Sequence, residues 1–303
     1  MTFGLGIDAG GTQTRWALAR ASGEIVAEGA VAGLSGLQMD SEAGRLHLQA
    51  TFGEIAKGVA AFGPPQAVYA GFTGLGEAAD ALRTLISTAI AVEPRNVRLG
   101  SDIEIAYLDV YAPGEGYVVY AGTGSVAAFI DADGALHRAG GRGVLLDDAG
   151  GGFWIAKEAL RHIWRREDER PESWRESPMA VAVFARLGGS DWAVTRQFVY
   201  GTASAAARGE IGRLALAVAA AADADPAARH ILEAAGRELA RLGQAMILRF
   251  GARPITLSGR ATQLHPLIFS AMQAALPLGT ALTMKVSDAH YAAARIAAKK
   301  CFA

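Results

Sequence analysis

The sequence predicts an α/β protein built from two similarly folded domains. The chain has 303 residues, about twice the length of an average domain. A pattern of three strands around a glycine-rich turn occurs twice, and helical stretches follow each copy. The composition is 51% hydrophobic and 19% charged, so a sizeable core is expected and global disorder is not.

The two copies of the strand pattern share their spacing. They are FGLGIDAGGTQTRWALARASGEIVAEGA (3–30) and GYVVYAGTGSVAAFIDADGALHRAGG (116–141). Each has a Gly-Thr step after its first strand, and in each a turn glycine follows twelve positions after the loop glycine, Gly23 after Gly11 and Gly134 after Gly122. Two ordinary hairpins with glycine turns are the alternative. The shared interval and the shared Gly-Thr step favour a duplication, and therefore two domains that face each other across a cleft.

Glycine loops of this kind are suited to phosphate. Glycine allows backbone N–H groups to converge on an anion, and threonine hydroxyls add further donors. Two such loops across a cleft would hold a polyphosphate from both sides. Asp8 precedes the first loop, and its carboxylate would repel phosphate unless a divalent cation lay between them. Mg²⁺ is commonly held by one or two carboxylates together with phosphate oxygens, so the residues predict that Asp8 orients a hydrated Mg²⁺ on a nucleotide.

Acidic residues at two further places in the sequence are candidates for a site, and each place has a simpler explanation. Asp102 ends a predicted strand in NVRLGSDIEIAYLDV, where it would either cap the following helix or lie at the floor of the cleft. Asp147 and Asp148 lie between glycines just before a predicted helix near Phe153. That position is typical of a ligand-binding loop, and a solvated acidic turn is the alternative.

Helical spacing of apolar residues predicts helices between the two copies and over most of 178–250. The stretch from Trp164 to Ser177 is polar and rich in Arg and Glu, so we expect an exposed connection there.

Composition excludes several functional classes. The formal net charge of −1 gives no basic excess for nucleic acid. The lone Cys301 excludes a disulfide framework, a four-cysteine zinc site and a cysteine-ligated iron–sulfur cluster within one chain. The six histidines lack metal-ligand spacing, and no apolar run has the length of a membrane span. We therefore expect a soluble cytoplasmic protein without a nucleic-acid or membrane partner.

Seven motifs, in order, resemble those of the actin-like ATPase and sugar-kinase superfamily. Within it they resemble the N-acetylglucosamine kinase and glucosamine kinase branch, of the BadF/BadG/BcrA/BcrD ATPase type. The motifs are GIDAGGTQTR, GSDIEIA, YAGTGSVA, GGRGVLLDDAGGGFWI, AAADADPAARHI, ITLSGRAT and SDAHYAAARIA. The resemblance covers nearly the whole chain. It implies two actin-like (ribonuclease H-like) domains, each a mixed five-stranded sheet with flanking helices.

The resemblance also implies domain boundaries and an activity. Residues 1–110, completed by a C-terminal helix at 287–303, would form the first domain, and residues 111–286 the second. The implied activity is ATP- and Mg²⁺-dependent phosphorylation of the 6-hydroxyl of N-acetylglucosamine or glucosamine. A homodimer is left open.

Site residues are implied by the same motifs. Asp102 would be the general base on the sugar hydroxyl, and Asp8 would hold Mg²⁺ through water. The sugar would also contact Asp148, Gly141 and Arg142. The nucleotide would contact the following residues: Gly10, Gly11, Thr12, Thr14, Gly122, Thr123, Gly124, Ser125, Ser258 and Gly259.

The sugar loop departs from the family pattern. It has Asp147-Asp148-Ala149-Gly150 where Gly-Asp-Glu-Gly is frequent, and Arg142 replaces a tryptophan common in N-acetylglucosamine kinases. These departures keep one alternative open beside an amino-sugar kinase, and a second alternative stands independently of them. One is a regulator that binds sugar and nucleotide without turnover, and the other is an ATPase that activates a partner enzyme.

Overall fold

The structure is a computed structural model that describes residues 2–11, 13–201 and 205–299. Its strands are β1 (Phe3–Ala9), β2 (Gln13–Arg20), β3 (Ile25–Ala32), β4 (Ala67–Phe72), β5 (Val97–Ser101), β6 (Tyr117–Ala121), β7 (Ser125–Ile130), β8 (Leu136–Gly140), β9 (Ile255–Ser258) and β10 (Leu282–Lys285). Its helices are α1 (Glu42–Val59), α2 (Ala79–Ile90), α3 (Asp102–Leu108), α4 (Gly152–Glu169), α5 (Pro178–Leu187), α6 (Trp192–Tyr200), α7 (Ala205–Gly212), α8 (Ala215–Ala221), α9 (Pro226–Phe250), α10 (Pro266–Ala275) and α11 (Ala289–Lys299).

The chain divides into two units. The first unit comprises Met1–Ala112 and Ser287–Ala303, and the second comprises Pro113–Val286. Helix α11 therefore belongs to the unit that also contains β1, although the whole second unit separates them along the chain.

Both units contain a mixed five-stranded sheet with the same topology. The strand order is β3-β2-β1-β4-β5 in the first unit and β8-β7-β6-β9-β10 in the second. In each sheet the first three strands in sequence pair antiparallel, the fourth pairs parallel with the first, and the fifth pairs parallel with the fourth. The predicted duplication and the predicted mixed five-stranded sheets are therefore confirmed.

Strand β1 buries both of its faces, but in different ways. Successive side chains of a strand point to opposite faces. Leu5 and Ile7 are fully buried in the hydrophobic core that the sheet forms with α1 and α2. Gly4 and Gly6 face α11, where a Cβ on Gly4 would lie 2.0 Å from the backbone N of Ala298. A Cβ on Gly6 would lie 2.1 Å from the carbonyl oxygen of His290. The helix therefore lies directly on the strand backbone.

Helix α11 also packs against β2, β4 and α3. Its buried residues are small, apart from one histidine: Ala289, His290, Ala292, Ala293, Ala294 and Ala297. Small side chains on the helix and missing side chains on the strand together permit this close approach.

In the second unit, α9 packs against β6, β7 and β8 and also against α10. Gly236 of α9 permits this approach, because a Cβ there would lie 2.3 Å from the carbonyl oxygen of Ile268. Helix α4 packs against α9 as well as against α7 and α8.

The expectation of an exposed connection from Trp164 to Ser177 was wrong for its first part. Helix α4 continues to Glu169. Its buried face, which extends to Ile163, packs in the core and stabilises the helix, and the polar turns after it continue the same helix. The chain then turns at Glu172–Trp174, where the Glu167 carboxylate accepts hydrogen bonds from the Glu172 and Trp174 amides at 2.8 and 2.7 Å. The charged residues thus stabilise a helix end and a tight turn.

Within the described ranges, no helix combines the length and apolar character that spanning a lipid bilayer requires.

The contact between β1 and α11 predicts that Gly6→Ala destabilises the protein. The added methyl group meets backbone atoms that cannot move without displacing α11, so we expect the free energy of unfolding to fall by about 1–3 kcal/mol or more. Denaturant unfolding measures this change. Gly53→Ala in α1 is the matched control, because a Cβ there meets nothing within 4 Å. The control should leave stability unchanged or raise it, since alanine favours a helix; equal loss in both variants would contradict the packing argument.

His290 predicts a pH dependence of stability. Burial and then the Arg15 guanidinium lower the pKa of His290 from 6.5 to about 4, against the opposing carboxylates of Asp288, Glu28 and Asp109. The unfolded chain therefore takes up this proton at higher pH than the folded chain. The free energy of unfolding should fall as the pH drops from about 6.5 to about 4, by roughly 3 kcal/mol at most.

We expect that the free energy of unfolding of His290→Gln, measured with denaturant across this pH range, does not show the part of the pH dependence that comes from His290. His162→Gln changes an exposed histidine of α4 and should keep the wild-type slope. A His290 variant whose stability still follows the wild-type pH profile would refute the assignment.

Candidate functional site

Asp8 and Asp102 lie at the same edge of the first sheet. Asp8 is opposite Gly71 of β4, and Gly71 is opposite Gly100 of β5, so these three residues form one row across parallel strands. Residues in one row project to the same face of a sheet. Asp102 follows directly on β5 as the first residue of α3. With strands about 4.8 Å apart, β1 and β5 are about 10 Å apart. The fold therefore brings together these two carboxylates, which are remote in sequence.

Asp102 does not cap α3. Ser101 is the N-cap residue, and its Oγ accepts a hydrogen bond from the Glu104 amide at 3.2 Å. Asp102 Oδ1 accepts from the adjacent Ile103 amide at 2.8 Å. The capping alternative for Asp102 is therefore wrong, and the serine before it has that role.

Glu104 forms a cluster that sequence reasoning missed. Its Oε1 accepts hydrogen bonds from the Tyr69 hydroxyl at 2.5 Å and from Arg98 Nη2 at 2.8 Å. The Arg98 guanidinium also lies 4.6 Å from the centre of the Tyr69 ring. Burial, followed by the Glu104 carboxylate, raises the pKa of Tyr69 well above its usual value. The phenol therefore stays protonated and donates its hydrogen bond over the whole physiological range.

Asp8 has an ion-pair partner in its own sheet. Arg15 is opposite Asp8 on β2, and its Nη2 lies 3.6 Å from Asp8 Oδ2. The same nitrogen donates to the carbonyl oxygen of Ser287, just before α11, at 3.3 Å. Arg15 was not predicted as a site residue. Pairing along the strands is the signal that would have found it, because Asp8 and Arg15 flank the loop symmetrically.

The first glycine loop is partly exposed. Gly11 is exposed and Gly10 half-buried, whereas Thr12 lies outside the described residues. Thr14 is fully buried, and its Oγ1 has no hydrogen-bond partner among the residues that the structure describes. Thr14 is opposite Ala9 on β1, whereas Asp8 is opposite Arg15, so the Thr14 side chain projects to the other face of the sheet from Asp8, toward the core.

In the second unit, the N-terminus of α4 supports the second glycine loop. The Gly152 and Phe153 amides donate to the carbonyl oxygens of Gly122 and Thr123 at 2.8 and 2.9 Å. Gly151 is needed for this approach, because a Cβ there would lie 2.7 Å from the Thr123 carbonyl oxygen. The loop is therefore fixed by an 18-residue helix behind it.

Asp148 lies against this loop. A Cβ on Gly124 would be 2.2 Å from Asp148 Oδ2, and Asp148 Oδ1 accepts from the Gly143 amide at 3.0 Å. Asp148 is 9% exposed and has a left-handed backbone with φ of 54°. Burial raises the pKa of its carboxyl, with a smaller contribution in the same direction from the Asp147 carboxylate. A strained, buried acid beside a glycine loop is typical of a functional position.

Asp147 faces a different partner. Its Oδ2 lies 3.1 Å from Nη2 of Arg241 on α9, and Arg241 also pairs with Glu238 at 2.9 Å. The two neighbouring aspartates therefore have different contacts. Asp147 anchors the loop to α9, and Asp148 turns toward the second glycine loop.

The remaining predicted residues of the second unit lie close to the same loop. Gly259 has φ of 97°, and a Cβ there would lie 2.3 Å from the Ala121 carbonyl oxygen at the end of β6. The Ser258 hydroxyl donates to the Lys285 carbonyl oxygen at 2.8 Å, and the Ser125 hydroxyl donates to the Ala149 carbonyl oxygen at 2.7 Å. Both hydroxyls are thus engaged within the protein.

Gly141 and Arg142 are exposed, and the Gly141 amide donates to the Ser125 carbonyl oxygen at 3.0 Å. The fold therefore brings the start of the predicted sugar loop to the end of the second glycine loop.

The residues of the first unit fit a magnesium nucleotide. In the part of the chain that is described, no three His, Cys, Asp or Glu side chains are grouped to hold a metal ion. A Mg²⁺ at Asp8 would therefore take its other oxygens from water and phosphate, as this ion commonly does. The partly accessible carboxylate of Asp8, followed by the exposed Gly11, matches such a ligand.

Solved structures share this fold over almost the whole chain. A candidate N-acetylglucosamine kinase from Chromobacterium violaceum is 23% identical, with a TM-score of 0.75 and coverage of 98% of this chain and 99% of that chain. A candidate N-acetylglucosamine kinase from Porphyromonas gingivalis is 17% identical, with a TM-score of 0.76 and coverage of 96% of both chains. A ROK family glucokinase from Streptomyces griseus, in complex with glucose and AMPPNP, is 14% identical, with a TM-score of 0.62 and coverage of 97% and 98%. At these identities the likeness concerns the fold, and it confirms the predicted fold class.

A search of curated proteins gives no match. The model of the BadF/BadG/BcrA/BcrD ATPase family matches residues 5–274. That match spans most of the chain and confirms the resemblance found in the motifs. The protein belongs to the BadF/BadG/BcrA/BcrD ATPase family.

Proposed function

We propose that the protein transfers the γ-phosphoryl group of ATP to the 6-hydroxyl of an amino sugar, N-acetylglucosamine or glucosamine. The observation that carries the proposal is the position of Asp102 in the first turn of α3, at the sheet edge where Asp8 also lies. Transfer to a sugar hydroxyl releases a proton, and Asp102 would supply a carboxylate that accepts it. The names of the structural relatives, two candidate N-acetylglucosamine kinases and a glucokinase, support the same reaction.

Asp102 is assigned the role of general base. As the sugar oxygen bonds to the γ-phosphorus and the bond to ADP breaks, the hydroxyl proton passes to the Asp102 carboxylate. General-base assistance of this kind typically contributes about 10²–10⁴ in rate. Positioning and charge stabilisation supply most of the remaining acceleration in phosphoryl transfer. Asp8 would hold Mg²⁺ through water, and the metal would neutralise charge on the phosphates.

We assign to the second unit the recognition of phosphate and sugar. The backbone of Gly122, Thr123 and Gly124 would bind phosphate oxygens, as converging amides do. Asp148 would accept hydrogen bonds from sugar hydroxyls. Its partial burial supports this role, because a buried carboxylate that a sugar can satisfy discriminates strongly against ligands without a matching hydroxyl. Arg142, which is exposed at the start of the same loop, is assigned to the sugar as well.

The test is ADP formation by the purified protein with MgATP and each of a panel of hexoses, N-acetylglucosamine and glucosamine. We expect ADP formation that depends on an amino sugar, with the sugar 6-phosphate as product. ADP formation at the same rate without sugar would favour an activator ATPase. Sugar and nucleotide binding without any turnover would favour a regulator. Turnover with hexoses alone would refute the amino-sugar assignment and leave the kinase assignment standing.

Asp102→Asn should separate binding from turnover. Asparagine keeps the shape of the side chain but cannot accept a proton at neutral pH, so kcat should fall about 10²-fold or more while nucleotide binding is retained. Because Ser101 is the cap, the melting temperature should stay close to that of the wild type. Turnover of the variant near the wild-type rate would place the base elsewhere, with Asp148 the next residue to examine.

The two aspartates of the sugar loop should differ in their effect. Asp148→Asn removes the charge beside Gly124 and should raise the KM for sugar far more than the KM for ATP. Asp147→Asn weakens the contact with Arg241 and should change the sugar KM less. Steady-state kinetics with each substrate varied in turn measures both constants. The opposite ranking would mean that Asp147 contacts the sugar.

Asp8→Asn should uncouple nucleotide binding from Mg²⁺. Calorimetric titration with ATP, in the presence and absence of Mg²⁺, measures the gain in affinity that the metal provides. We expect this gain to be large in the wild type and small in the variant, since the variant lacks the charged oxygen that orients the metal's water. Titration without Mg²⁺ is the internal control, and an unchanged gain in the variant would remove Asp8 from the metal site.

A further inference from the structure

The cluster of Tyr69, Arg98 and Glu104 joins three elements of the first unit. Tyr69 lies on β4, Arg98 on β5 and Glu104 on α3, and the Glu104 carboxylate is the common acceptor for the other two. Tyr69 is fully buried, while the side chains of Glu104 and Arg98 are 19% and 41% exposed. The carboxylate thus lies at the boundary of the core, held from two strands by two charge-assisted hydrogen bonds.

This cluster immobilises the helical turn that contains Asp102. Glu104 follows Asp102 by two residues, and its backbone amide donates to Ser101 Oγ, on the other side of Asp102. Its side chain bonds to Tyr69 on β4 and to Arg98 on β5. The residue before Asp102 and a residue after it are therefore both tied, and the backbone between them cannot rotate or lift without breaking a bond of the cluster.

Two glycines on the strands below make room for the first turn of α3. A Cβ on Gly100 would lie 2.7 Å from Glu104 Oε2, and a Cβ on Gly71 would lie 2.5 Å from Ile105 Cδ1. Gly71 and Gly100 are opposite each other on adjacent strands. The first turn of α3 therefore lies on a two-glycine platform, in the row that contains Asp8.

Stability alone is a poor explanation for the cluster. Ser101 already caps the helix, and partly buried ion pairs contribute little net stability compared with apolar side chains of similar size. Geometry is a better explanation, because hydrogen bonds from a fully buried phenol and a planar guanidinium fix a carboxylate in both position and orientation.

We infer that Tyr69, Arg98 and Glu104 form a positioning device that holds the Asp102 carboxylate in line for proton acceptance, an inference that rests on the proposed phosphoryl transfer. None of the three touches substrate in this role, and all act through Asp102. A misplacement of about 1 Å can cost about 10²-fold in rate. Loss of one hydrogen bond loosens the turn without unfolding it, so we expect kcat to fall about tenfold or more, with both KM values within about twofold of the wild type.

The experiment compares two tyrosine variants of the first unit. Tyr69→Phe removes the hydroxyl that bonds to Glu104. Tyr107→Phe is the matched control, because Tyr107 is also fully buried and its hydroxyl donates to the Ala112 carbonyl oxygen at 3.2 Å, beyond the far end of α3. The expected result is a kcat loss in Tyr69→Phe and none in Tyr107→Phe, at comparable melting temperatures. Equal activities at equal stability would overturn the inference.

Glu104 variants keep the inference testable if Tyr69→Phe does not fold. Glutamine retains an oxygen that accepts from Tyr69, whereas alanine retains nothing. A positioning role predicts that Glu104→Gln recovers most of the kcat lost in Glu104→Ala, with the KM values unchanged. Equal loss of kcat in both variants, or a loss expressed mainly in KM, would overturn it.

A double-mutant cycle identifies the residue through which the cluster acts. In an Asp102→Asn background, Tyr69→Phe should cause no further loss of kcat, since the group that it positions is already inactive. The same further loss in both backgrounds would show that the cluster acts elsewhere. A wild-type protein without sugar-dependent turnover would refute the proposed function together with this inference. An active wild type with independent effects of Tyr69 and Asp102 would refute the inference alone.

Discussion

The contact between α11 and the bare backbone of β1 is the constraint on which the first unit depends. Gly4 and Gly6 leave no side chain between strand and helix, so α11 lies closer to the sheet than ordinary side chains allow. The alternation that places these glycines under the helix also places Asp8 on the same face, two residues further along. Any side chain that lifted α11 would also move Ser287, to which the Asp8 partner Arg15 donates.

Glycines also permit close packing at the first turns of two other helices, α3 and α4. Gly71 and Gly100 admit the first turn of α3, and Gly151 admits the first turn of α4 to the second glycine loop. These glycines differ from those of the phosphate loops. They are required for close packing, whereas loop glycines such as Gly259 are required for a positive φ. Both kinds of glycine help to fix the positions of polar groups at the ends of the strands.

The sequence predicted what is encoded locally. Turn glycines at equal spacing predicted a duplicated sheet, and the motifs predicted the family, because both depend on neighbouring residues. Pairings between distant segments were not predictable in this way. Arg241 lies 94 residues from Asp147, and Tyr69 lies 35 residues from Glu104. The capping of α3 was ambiguous for a different reason, since Ser101 and Asp102 are both good caps and only the observed hydrogen bonds distinguish them. The length of α4 was not predicted, because its last turns are polar and the helix is stabilised by the buried residues that precede them.

The division of the first unit into two segments has a consequence for biosynthesis. The ribosome makes β1 to α3 first, then the 174 residues of the second unit, and only afterwards α11. At about 5–20 residues per second, this interval lasts roughly 10 to 35 seconds. During it the glycine face of β1 has no helix to cover it, and only at its end have all strands of the second unit been made. The last helix of the first unit is therefore made after the whole of the second unit, so a nascent chain of this protein can complete its second unit before its first.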